Sequence, residues 1–493
     1  MTAYLLAIDQ GTTNSRVIIF DGQMSVVSHH ELPLQQTFPR NGWVEQDPQE
    51  LLTNTLQCIE SALKKANLTA AMITACGIAN QRETTLVWNK HTGVPIYPAI
   101  VWQDRRTSDY CEQKAQSALG TYVREKTGLM IDPYFSASKI RWLLEHCKGA
   151  RIAADRGELL FGTVDTYLLW HFTHGKRHAT DVTNAARTLL FNIQAQKWDN
   201  YLLQQFEIPE SLLPEVLDSA AHYGEIDASY FGHAIPITAM IGDQQSACIG
   251  QAVLTPGTIK GTYGTGCFVL LNTGEHLIQS RNQLLTTVAY RIKGELTYCL
   301  EGSIFSAGST IKWLRDQLHF IGTSADSEKL ARSVTNTNQV YLVPAFTGLS
   351  APYWDSRARG AIVGLTFNAG IAEIVRAGLE SVAYQTRDLL EAMNNDTQKP
   401  LTTLRVDGGM VMNDWLLQFI ADLLNVPVER PQCTETTALG AAMLAGLQIG
   451  LYQTLEELAS LWRLEKRFEP QMPAFESENL YAGWKQAVKR VLE

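Results

Sequence analysis

The sequence of 493 residues lacks several features that would place it in a special class of protein. No apolar run approaches the length of about 20 residues that a membrane-spanning helix needs. The first residues carry no basic stretch and reach Asp9 early, which argues against a secretory signal. Charged residues make up 18% and hydrophobic residues 45% of the chain, as is typical of globular proteins. We therefore expect a cytoplasmic protein with at least two domains, each large enough to bury its own core.

Cysteines arranged for metal binding are also lacking. The eight cysteines lie among apolar residues and never occur at the CxxC spacing of zinc sites, so we expect reduced thiols and neither a disulfide nor zinc. There is no excess of basic residues, since the formal net charge is -9. Local groups must therefore hold any phosphorylated ligand, and we expect no binding of nucleic acid and no membrane insertion.

Neither a Walker sequence nor the glycine fingerprint of dinucleotide-binding domains is present, which argues against both of those nucleotide sites. Instead, a short apolar strand runs three times into a turn rich in glycine or threonine. The turns are DQGTT at 9–13, GTYGTG at 261–266 and DGG at 407–409. Glycine allows the backbone to approach a ligand closely, and amides and threonine hydroxyls donate hydrogen bonds to phosphate oxygens. One such turn alone is more often a hairpin without a ligand, but the combination predicts a phosphate site.

The chain is predicted to be a duplicated α/β protein. The first two turns are followed by apolar runs at 17–20 and 268–271, so each is expected to form a β-hairpin. A Pro-Gly turn within 251–258 separates the halves, and we expect domains at 1–250 and 251–493. Further strands are predicted at 71–79, 235–241, 341–344 and 404–406, and helices at 49–65, 138–145, 372–393, 415–424 and 437–447. The segment 348–354 is predicted to be a long surface loop.

Two aspartates follow predicted strands and are candidates for phosphoryl-transfer chemistry. Asp9 could hold Mg²⁺ through water beside the phosphates, although a simple turn carboxylate is the alternative. Asp243 could accept the proton of a substrate hydroxyl, although a helix N-cap explains it equally well. An ordinary aspartate suffices as the base because the transition state of phosphoryl transfer is loose and the proton leaves late.

Arg82 and Glu83 follow the predicted strand at 71–79, at the edge where α/β domains bind ligands. An adjacent donor and acceptor suit the neighbouring hydroxyls of a polyol, whereas a surface ion pair would mean little. Trp102, Tyr134 and Phe268 could form the apolar sides of a small pocket, although aromatic residues more often belong to a core.

Taken together, these segments resemble the FGGY family of carbohydrate kinases, within the actin and hsp70-like ATPase superfamily. The resemblance spans nearly the whole chain. Its motifs are DQGTTNSR at 9–16, GWVEQDP at 42–48, NQRET at 80–84, DPYF at 132–135, GTVDT at 162–166, GDQQ at 242–245, TYGTGC at 262–267, PAFTGLSAPYW at 344–354 and DGG at 407–409. The stretch from Tyr134 through Lys139 to Trp142 also fits the first family signature. The resemblance implies an α/β fold of two ribonuclease-H-like domains, as in actin-like ATPases, that close on a deep interdomain cleft.

Within this family, the match is to members that phosphorylate glycerol. It implies transfer of the γ-phosphoryl group of Mg²⁺-ATP to glycerol, which gives sn-glycerol 3-phosphate, with Asp243 as general base and Asp9 at the metal. The residues implied to bind glycerol are Arg82, Glu83, Trp102, Tyr134, Asp243, Gln244 and Phe268. The residues implied to bind the nucleotide are Thr12, Thr13, Asn14, Arg16, Thr265, Gly308, Lys312, Gly409 and Asn413. Two of them depart from the family pattern, because Lys312 stands where relatives have glutamine and Asn14 replaces the commoner serine.

Two alternatives remain open: a pentulose or hexulose kinase of the same family, and an actin-like or chaperone-like ATPase that drives partner exchange. The Arg82-Glu83 pair and the bulky Trp102 favour a three-carbon substrate, and Asp243 with Gln244 argues against the ATPase. We also expect a homo-oligomer, either a dimer or a tetramer. The stretch 224–236 contains no Lys or Arg, which predicts insensitivity to fructose 1,6-bisphosphate, an inhibitor of some bacterial members of the family.

Overall fold

A computed structural model describes residues 3–355 and 357–492, in which strands and helices are interspersed. The strands, numbered along the chain, are β1 (Tyr4–Gln10), β2 (Asn14–Asp21), β3 (Val26–Pro33), β4 (Glu45–Gln46), β5 (Ile73–Asn80), β6 (Leu86–Asn89), β7 (Ala99–Ile100), β8 (Leu159–Gly162), β9 (Ala179–Asp181), β10 (Phe191–Asn192), β11 (Lys197–Trp198), β12 (Glu215–Leu217), β13 (Ala220–Ile226), β14 (Ile235–Gly242), β15 (Ile259–Tyr263), β16 (Cys267–Gly274), β17 (Leu285–Ile292), β18 (Glu295–Ile304), β19 (Tyr341–Val343), β20 (Ala361–Val363), β21 (Leu404–Asp407), β22 (Val428–Pro431) and β23 (Leu464–Phe468).

The helices have lengths typical of globular proteins, apart from the longer α13. They are α1 (Pro48–Ala66), α2 (Ser108–Ala115), α3 (Ala118–Thr127), α4 (Ser136–His146), α5 (Ala150–Asp155), α6 (Val164–Phe172), α7 (Val182–Ala185), α8 (Asn200–Phe206), α9 (Ala228–Phe231), α10 (Asp243–Gly250), α11 (Gly308–Asp316), α12 (Asp326–Ser333), α13 (Ile371–Thr397), α14 (Asp414–Leu424), α15 (Thr436–Gln448), α16 (Leu455–Ser460) and α17 (Ala474–Leu492). Among the described residues, none of these helices combines the length and the apolar character that crossing a membrane requires.

The chain divides into two compact units. The first contains the chain up to Ala252 together with Thr286–Tyr298 and Thr436–Leu461. The second contains Val253–Leu285, Cys299–Glu435 and the chain from Trp462 onward. Two segments beyond residue 252 therefore belong to the first unit. A single boundary between residues 250 and 251 does not separate the two units. The assignment of 1–250 and 251–493 as the two functional domains stays a prediction.

The first unit is built on a six-stranded sheet with the order β13-β14-β5-β1-β2-β3. β1 and β2 are antiparallel, with Asp9 opposite Arg16, so the first predicted hairpin is confirmed. β5 runs parallel to both β1 and β14. The central strands are apolar at almost every position because both faces of the sheet are covered. Apolar side chains of α1 and α6 belong to the hydrophobic core of this unit.

A second, seven-stranded sheet has the order β17-β18-β16-β15-β21-β22-β23. β15 and β16 are antiparallel, which confirms the second predicted hairpin. β21 runs parallel to β15, with Asp407 opposite Thr262, so the turns that follow these two strands lie side by side. The buried face of α13 belongs to the core of the second unit. The strand-turn repeat seen in the sequence thus corresponds to the same arrangement in both sheets: a hairpin with a parallel strand beside it.

One prediction about local structure is wrong. The segment 348–354 was expected to be a surface loop, but its residues 348–351 are buried. The Ser350 hydroxyl donates to the carbonyl oxygen of Ser303, and Trp354 Nε1 donates to the carbonyl oxygen of Gln283 at 2.6 Å. Because these bonds satisfy polar groups of the loop, it can be buried within the second unit, to which it belongs, although it forms no helix or named strand.

Candidate functional site

Three of the predicted site segments meet at one edge of the six-stranded sheet. In the paired register Gln10 lies opposite Asn80, and Asn80 lies opposite Gly242. The three parallel strands β1, β5 and β14 therefore end at the same level. The turn that follows Asp9, the Arg82-Glu83 pair and Asp243 come together there, although they are far apart in the sequence. This is the edge at which open α/β sheets bind ligands.

Asp243 is held by a buried arginine. Arg82 Nε lies 3.2 Å from Asp243 Oδ1, and the side chains are 2% and 27% exposed. Arg82 Nη1 also donates to Gln245 Oε1 at 3.2 Å. The interpretation of Arg82 and Glu83 as a surface ion pair is wrong, because both side chains are buried. The guanidinium instead orients a carboxylate that keeps partial access to solvent.

Asp243 is the first residue of α10, and Gly242 occupies the N-cap position. The N-cap explanation of Asp243 is therefore wrong. The Asp243 carboxylate lies in the first turn, where the helix dipole favours a negative charge, and its Oδ1 accepts a hydrogen bond from Gln244 N at 2.7 Å. A Cβ atom on Gly242 would lie 2.7 Å from Arg82 Cδ, so the close approach of strand end and arginine requires glycine.

Glu83 adopts a left-handed backbone conformation, with φ of 62°. Such a conformation is unfavourable for residues other than glycine and persists only where the surroundings hold it. Here the Glu83 carboxylate is 2.6 Å from Nε of the fully buried Arg187, and the Glu83 carbonyl oxygen accepts from Thr85 Oγ1 at 2.9 Å and from Ser136 Oγ at 3.1 Å. Glu83 is thus held both at its carboxylate and at its backbone carbonyl.

Tyr134 and Trp102 lie edge to face, with ring centroids 5.6 Å apart. The Arg187 guanidinium carbon is 5.5 Å from the centroid of Tyr134, a distance that permits a cation–π interaction. Lys139 Nζ donates to the Tyr134 carbonyl oxygen at 2.6 Å and to that of Glu83 at 3.5 Å. Burial lowers the pKa of Lys139 to about 8, although Glu83 nearby acts in the opposite direction.

The first unit thus brings together six of the seven residues predicted for the polyol: Arg82, Glu83, Trp102, Tyr134, Asp243 and Gln244. The seventh, Phe268, lies on β16 of the second unit.

The turn after β1 carries the predicted phosphate ligands of the first unit. The Thr13 hydroxyl donates to Asn14 Oδ1 at 2.6 Å, and Asn14 Nδ2 donates to Glu31 Oε2 at 3.3 Å. Arg16 Nη2 lies 2.7 Å from the same carboxylate oxygen. Partial burial raises the pKa of Glu31, but Arg16 and Asn14 outweigh it, and the pKa falls below its ordinary value. The asparagine that departs from the family pattern therefore links Thr13 to an ion pair.

Within the second unit, the turn after β15 packs against the start of α11. Gly308 N donates to the Gly264 carbonyl oxygen at 3.0 Å, and Ala307 N donates to that of Thr265 at 3.0 Å. A Cβ atom on Gly308 would lie 2.6 Å from the Gly264 oxygen, so this contact also requires glycine. Thr265 and Gly308 are thus brought together.

The other predicted nucleotide residues of this unit take different positions. Gly409 follows β21, beside the turn after β15. Asn413 caps α14 by accepting from Leu416 N at 2.9 Å, and Lys312 is exposed on α11. The geometry therefore gives Asn413 a structural task in addition to any contact with a ligand.

The residues available for a metal ion fit magnesium bound largely through water. Among the described residues, no cluster of three or more His, Cys, Asp or Glu side chains forms a complete metal site. Mg²⁺ commonly uses one or two carboxylates with waters and phosphate oxygens, and Asp9 at the end of β1 supplies one carboxylate beside the turn.

Several residues of the site were not indicated by the sequence. Gln46, Gln81 and Gln245 lie inside the family motifs, but nothing in those motifs assigned them a contact. Arg187 lies outside them, and a charged residue within a largely apolar segment, 182–191, was its only signal. Each of these side chains acts through a partner far away in the sequence, which local patterns do not reveal.

Family models of carbohydrate kinases match most of the chain. The model of the N-terminal domain of the FGGY family of carbohydrate kinases matches residues 4–250, and that of its C-terminal domain matches residues 259–449. Among curated proteins, glycerol kinase of Coxiella burnetii is 58% identical, with 100% of this chain and 98% of that protein aligned. Glycerol kinase 1 of Pseudomonas aeruginosa is 57% identical, with 100% and 99% aligned.

Solved structures show the same similarity. The crystal structure of Plasmodium falciparum glycerol kinase with ADP superimposes with a TM-score of 0.94 at 37% identity, covering 100% of this chain and 99% of that one. Gluconate kinase of Lactobacillus acidophilus superimposes with a TM-score of 0.90 at 21% identity, covering 99% and 98%. The second similarity is one of fold alone, so the fold is shared by kinases that are named for different acceptors.

Proposed function

Because the chain belongs to the FGGY family of carbohydrate kinases, we propose that it transfers the γ-phosphoryl group of ATP to a terminal hydroxyl of glycerol, giving sn-glycerol 3-phosphate and ADP. The observation that carries this proposal is the full-length identity of 57–58% to proteins named glycerol kinase. The fold by itself does not separate glycerol from a sugar or a sugar acid as the acceptor.

Asp243 is proposed as the general base. Its carboxylate is 27% exposed at the edge where the three strands end, and Arg82 fixes its orientation at 3.2 Å. A fixed carboxylate can accept the hydroxyl proton late in a loose transition state, and positioning supplies most of the rate in such a reaction. Gln244 follows directly and is proposed to bond a hydroxyl of the same acceptor.

The acceptor is proposed to lie against the other residues of this edge. Arg82 and Glu83 offer a donor and an acceptor for two neighbouring hydroxyls, and Tyr134 offers a phenol. The edge-to-face contact of Trp102 with Tyr134, at 5.6 Å between ring centroids, supports these assignments. Trp102 would flank the carbon chain of glycerol. Phe268 is assigned the other flank on the resemblance alone.

The glycine and threonine turns are proposed to hold the nucleotide. The residues carried over are Thr12, Thr13, Asn14, Arg16, Thr265, Gly308, Lys312, Gly409 and Asn413. Support comes from two glycines that allow close backbone contacts beside these turns. A Cβ atom on Gly308, at the start of α11, would lie 2.6 Å from the Gly264 carbonyl oxygen, and one on Gly408, in the DGG turn, would lie 2.5 Å from the Tyr263 carbonyl oxygen. Mg²⁺, when bound through Asp9 and water, would neutralise charge on the phosphates.

We further propose that the halves 1–250 and 251–493 serve the acceptor and the nucleotide respectively. A cytoplasmic location and a homo-oligomeric state, dimer or tetramer, also remain proposals.

The test is an assay of ATP turnover with glycerol, xylulose, gluconate and no acceptor. Glycerol is expected to give the highest kcat/KM. Preference for xylulose or gluconate would replace the proposal with another kinase of the family, and turnover that needs no acceptor would indicate an ATPase.

A substitution at the base sharpens this test. Asp243→Asn is expected to lower kcat at least about 100-fold while glycerol still binds, because the amide fills the same volume but cannot take the proton. Asp227→Asn is the matched control, since Asp227 caps the short helix α9 and asparagine caps equally well. Near-normal turnover of a folded Asp243→Asn variant would remove Asp243 from the role of base.

A further inference from the structure

We propose that Gln46, Gln81 and Trp102 are positioning residues that set the phosphate turn, residues 11–13, for the nucleotide and connect it to the acceptor. The inference rests on the proposed function in that it takes the ligand of this turn to be a nucleotide phosphate and the ligand beside Trp102 to be glycerol. It assigns a task to two buried glutamines that have no direct part in the reaction.

Two buried carboxamides hold the carbonyl groups of the phosphate turn. Gln46 Nε2 donates to the Thr12 carbonyl oxygen at 2.6 Å, and Gln81 Nε2 donates to the Gly11 carbonyl oxygen at 3.0 Å. Both glutamines are 1% exposed. The orientation of the Gln81 amide follows from its other partner, because its Oε1 accepts from the Thr84 hydroxyl at 2.8 Å. The nitrogen of Gln81 therefore faces the turn and also bonds Gln46 Oε1 at 2.9 Å.

These contacts determine where the amides of the turn point. In a trans peptide the carbonyl and the following N–H point in opposite directions. Holding the carbonyls of Gly11 and Thr12 on the glutamine side thus directs the N–H groups of Thr12 and Thr13 away from it. Successive N–H groups that point the same way form an anion-binding concavity, and carbonyl oxygens facing the same anion would repel it. The two glutamines therefore favour a turn that presents donors to phosphate.

Trp102 orients the Thr12 hydroxyl in the same sense. Its indole Nε1 donates to Thr12 Oγ1 at 2.9 Å. An indole nitrogen is a donor only, so the Thr12 oxygen must be the acceptor of this bond. The hydroxyl proton of Thr12 is then directed to another acceptor, and a phosphate oxygen is such an acceptor.

Trp102 is also one of the residues proposed to contact glycerol. Trp102 N donates to Thr84 Oγ1 at 3.3 Å, and Thr84 in turn bonds Gln81, so a closed ring of hydrogen bonds joins the end of β5 to the phosphate turn. Glycerol that packs against Trp102 restricts the indole and thereby the Thr12 hydroxyl. Glycerol and nucleotide are therefore expected to strengthen each other's binding, by the same factor in both directions.

The experiment measures binding of a non-hydrolysable ATP analogue with Mg²⁺ to the full chain by calorimetry, without glycerol and with saturating glycerol. Gln46→Met keeps the side-chain length but leaves the Thr12 carbonyl without its donor, and the analogue is expected to bind about tenfold more weakly even without glycerol. Trp102→Phe keeps an aromatic wall but removes the indole donor. It is expected to weaken the analogue about fivefold and to reduce the factor by which glycerol strengthens its binding.

The matched control is Gln385→Met, which removes a carboxamide-to-carbonyl bond of 3.1 Å inside α13 of the other unit. It is expected to leave both measurements unchanged, and melting curves show which variants fold. Unchanged analogue affinity in folded Gln46→Met would overturn the proposal. If that variant does not fold, unchanged affinity and unchanged coupling in Trp102→Phe would overturn it.

The result is independent of the acceptor assay in one respect. Weaker analogue binding without glycerol supports the role of the glutamines even if the acceptor panel shows another substrate, in which case only the proposed function fails. If Gln46→Met binds the analogue normally and the wild type phosphorylates glycerol, the role of the glutamines is rejected and the proposed function stands.

Discussion

Buried charges determine what can bind at the edge of the first unit where β1, β5 and β14 end. Arg82, Glu83 and Arg187 are almost fully buried, and each meets an opposite charge within 3.2 Å. A buried ion is tolerated only when it is paired and hydrogen-bonded, so removing one partner leaves a costly uncompensated charge. The edge is thus preorganised for a polar ligand, and its residues cannot be exchanged singly without loss.

Lys139 is the buried cation whose charge changes with pH. Burial lowers its pKa from 10.5 to about 8. Between these two values the unfolded chain binds more protons at this position than the folded protein, so the free energy of unfolding contributed here rises as the pH rises. Lys139→Met lacks this titration. We expect the stability of the wild type relative to Lys139→Met to rise by up to about 3 kcal/mol between pH 8 and pH 10.5.

Denaturant unfolding at several pH values within that window checks this expectation. Lys148→Met, at an exposed lysine, is the control and should give a curve parallel to that of the wild type. Parallel curves for Lys139→Met as well would mean that Lys139 keeps an ordinary pKa in the fold.

The strand pattern by itself indicated those residues of the candidate site that follow a strand. Arg82, Glu83 and Asp243 could be selected because each stands within a few residues of the end of a predicted strand, where α/β sheets place ligands. Arg187 and Gln46 could not be selected, since they reach the edge through contacts between segments that are distant in the sequence. The sequence also left two interpretations of Asp243 open, and the backbone decided between them because it places Gly242 at the N-cap. The positive φ of Glu83 is likewise known only from the structure.

At the level of elements, helix α15 supports the helix that carries Asp243. The helix predicted at 437–447 is observed as α15, Thr436–Gln448, and it is rich in alanine and glycine. A Cβ atom on Gly440 would lie 1.9 Å from the Ser246 carbonyl oxygen, and one on Gly250 would lie 2.1 Å from that of Thr436. The backbones of α10 and α15 are therefore in direct contact, and Ser246 Oγ bonds the Thr437 carbonyl at 2.6 Å.

Gly440→Ala is expected to destabilise the first unit by about 1 to 3 kcal/mol, because the added methyl group has to push two helices apart. It should also lower turnover, since α10 holds Asp243 at its first position. Denaturant unfolding and kcat measure the two effects. Gly22→Ala is the control, because the nearest atoms to its added Cβ lie at 4.0 Å. Equal stability of the two variants would show that α10 and α15 can separate freely.

Strands and helices with a strong apolar pattern were predicted well. The predicted strand at 235–241 is observed as β14, Ile235–Gly242, and the helix at 49–65 as α1, Pro48–Ala66. The loop at 348–354 was misjudged because its sequence carries turn residues, while its burial depends on bonds to Ser303 and Gln283 that lie elsewhere in the chain. The periodicity of apolar residues predicts local secondary structure, but it does not predict which distant residues bury a loop.

The loop between β13 and β14 bears on inhibition by fructose 1,6-bisphosphate. Lys and Arg are absent from 224–236, but the structure places Lys176 and Arg177 beside it. Lys176 Nζ lies 3.7 Å from Asp227 Oδ2, and Arg177 Nη2 lies 3.4 Å from Glu215 Oε2. Because carboxylates already accompany both cations, we still expect no inhibition.

Titration of the kinase activity with fructose 1,6-bisphosphate at fixed Mg²⁺ tests this expectation, with an inhibited family member as the positive control. Saturable inhibition in the millimolar range or below would contradict it. In that case Lys176 and Arg177 would be the first residues to substitute.

For the whole molecule, ligand binding and catalysis can be separated by thermal stability. A ligand at 100 times its Kd stabilises the folded state by about 2.7 kcal/mol, whether or not it reacts. We expect glycerol to raise the melting temperature of the wild type and of Asp243→Asn by a similar amount. Arg82→Ala should lose most of this shift, because a hydroxyl of glycerol then lacks its donor and Asp243 lacks its ion-pair partner.

The ATP analogue provides the internal control for this comparison. Its own thermal shift should persist in both variants, since neither residue belongs to the glycine and threonine turns. Scanning calorimetry of the full chain measures all the shifts, and shifts are compared within each transition because a chain of two compact units need not unfold in one step. Loss of the glycerol shift in Asp243→Asn would mean that Asp243 holds the acceptor rather than only taking its proton. Equal loss of both ligand shifts in Arg82→Ala would make Arg82 a structural arginine.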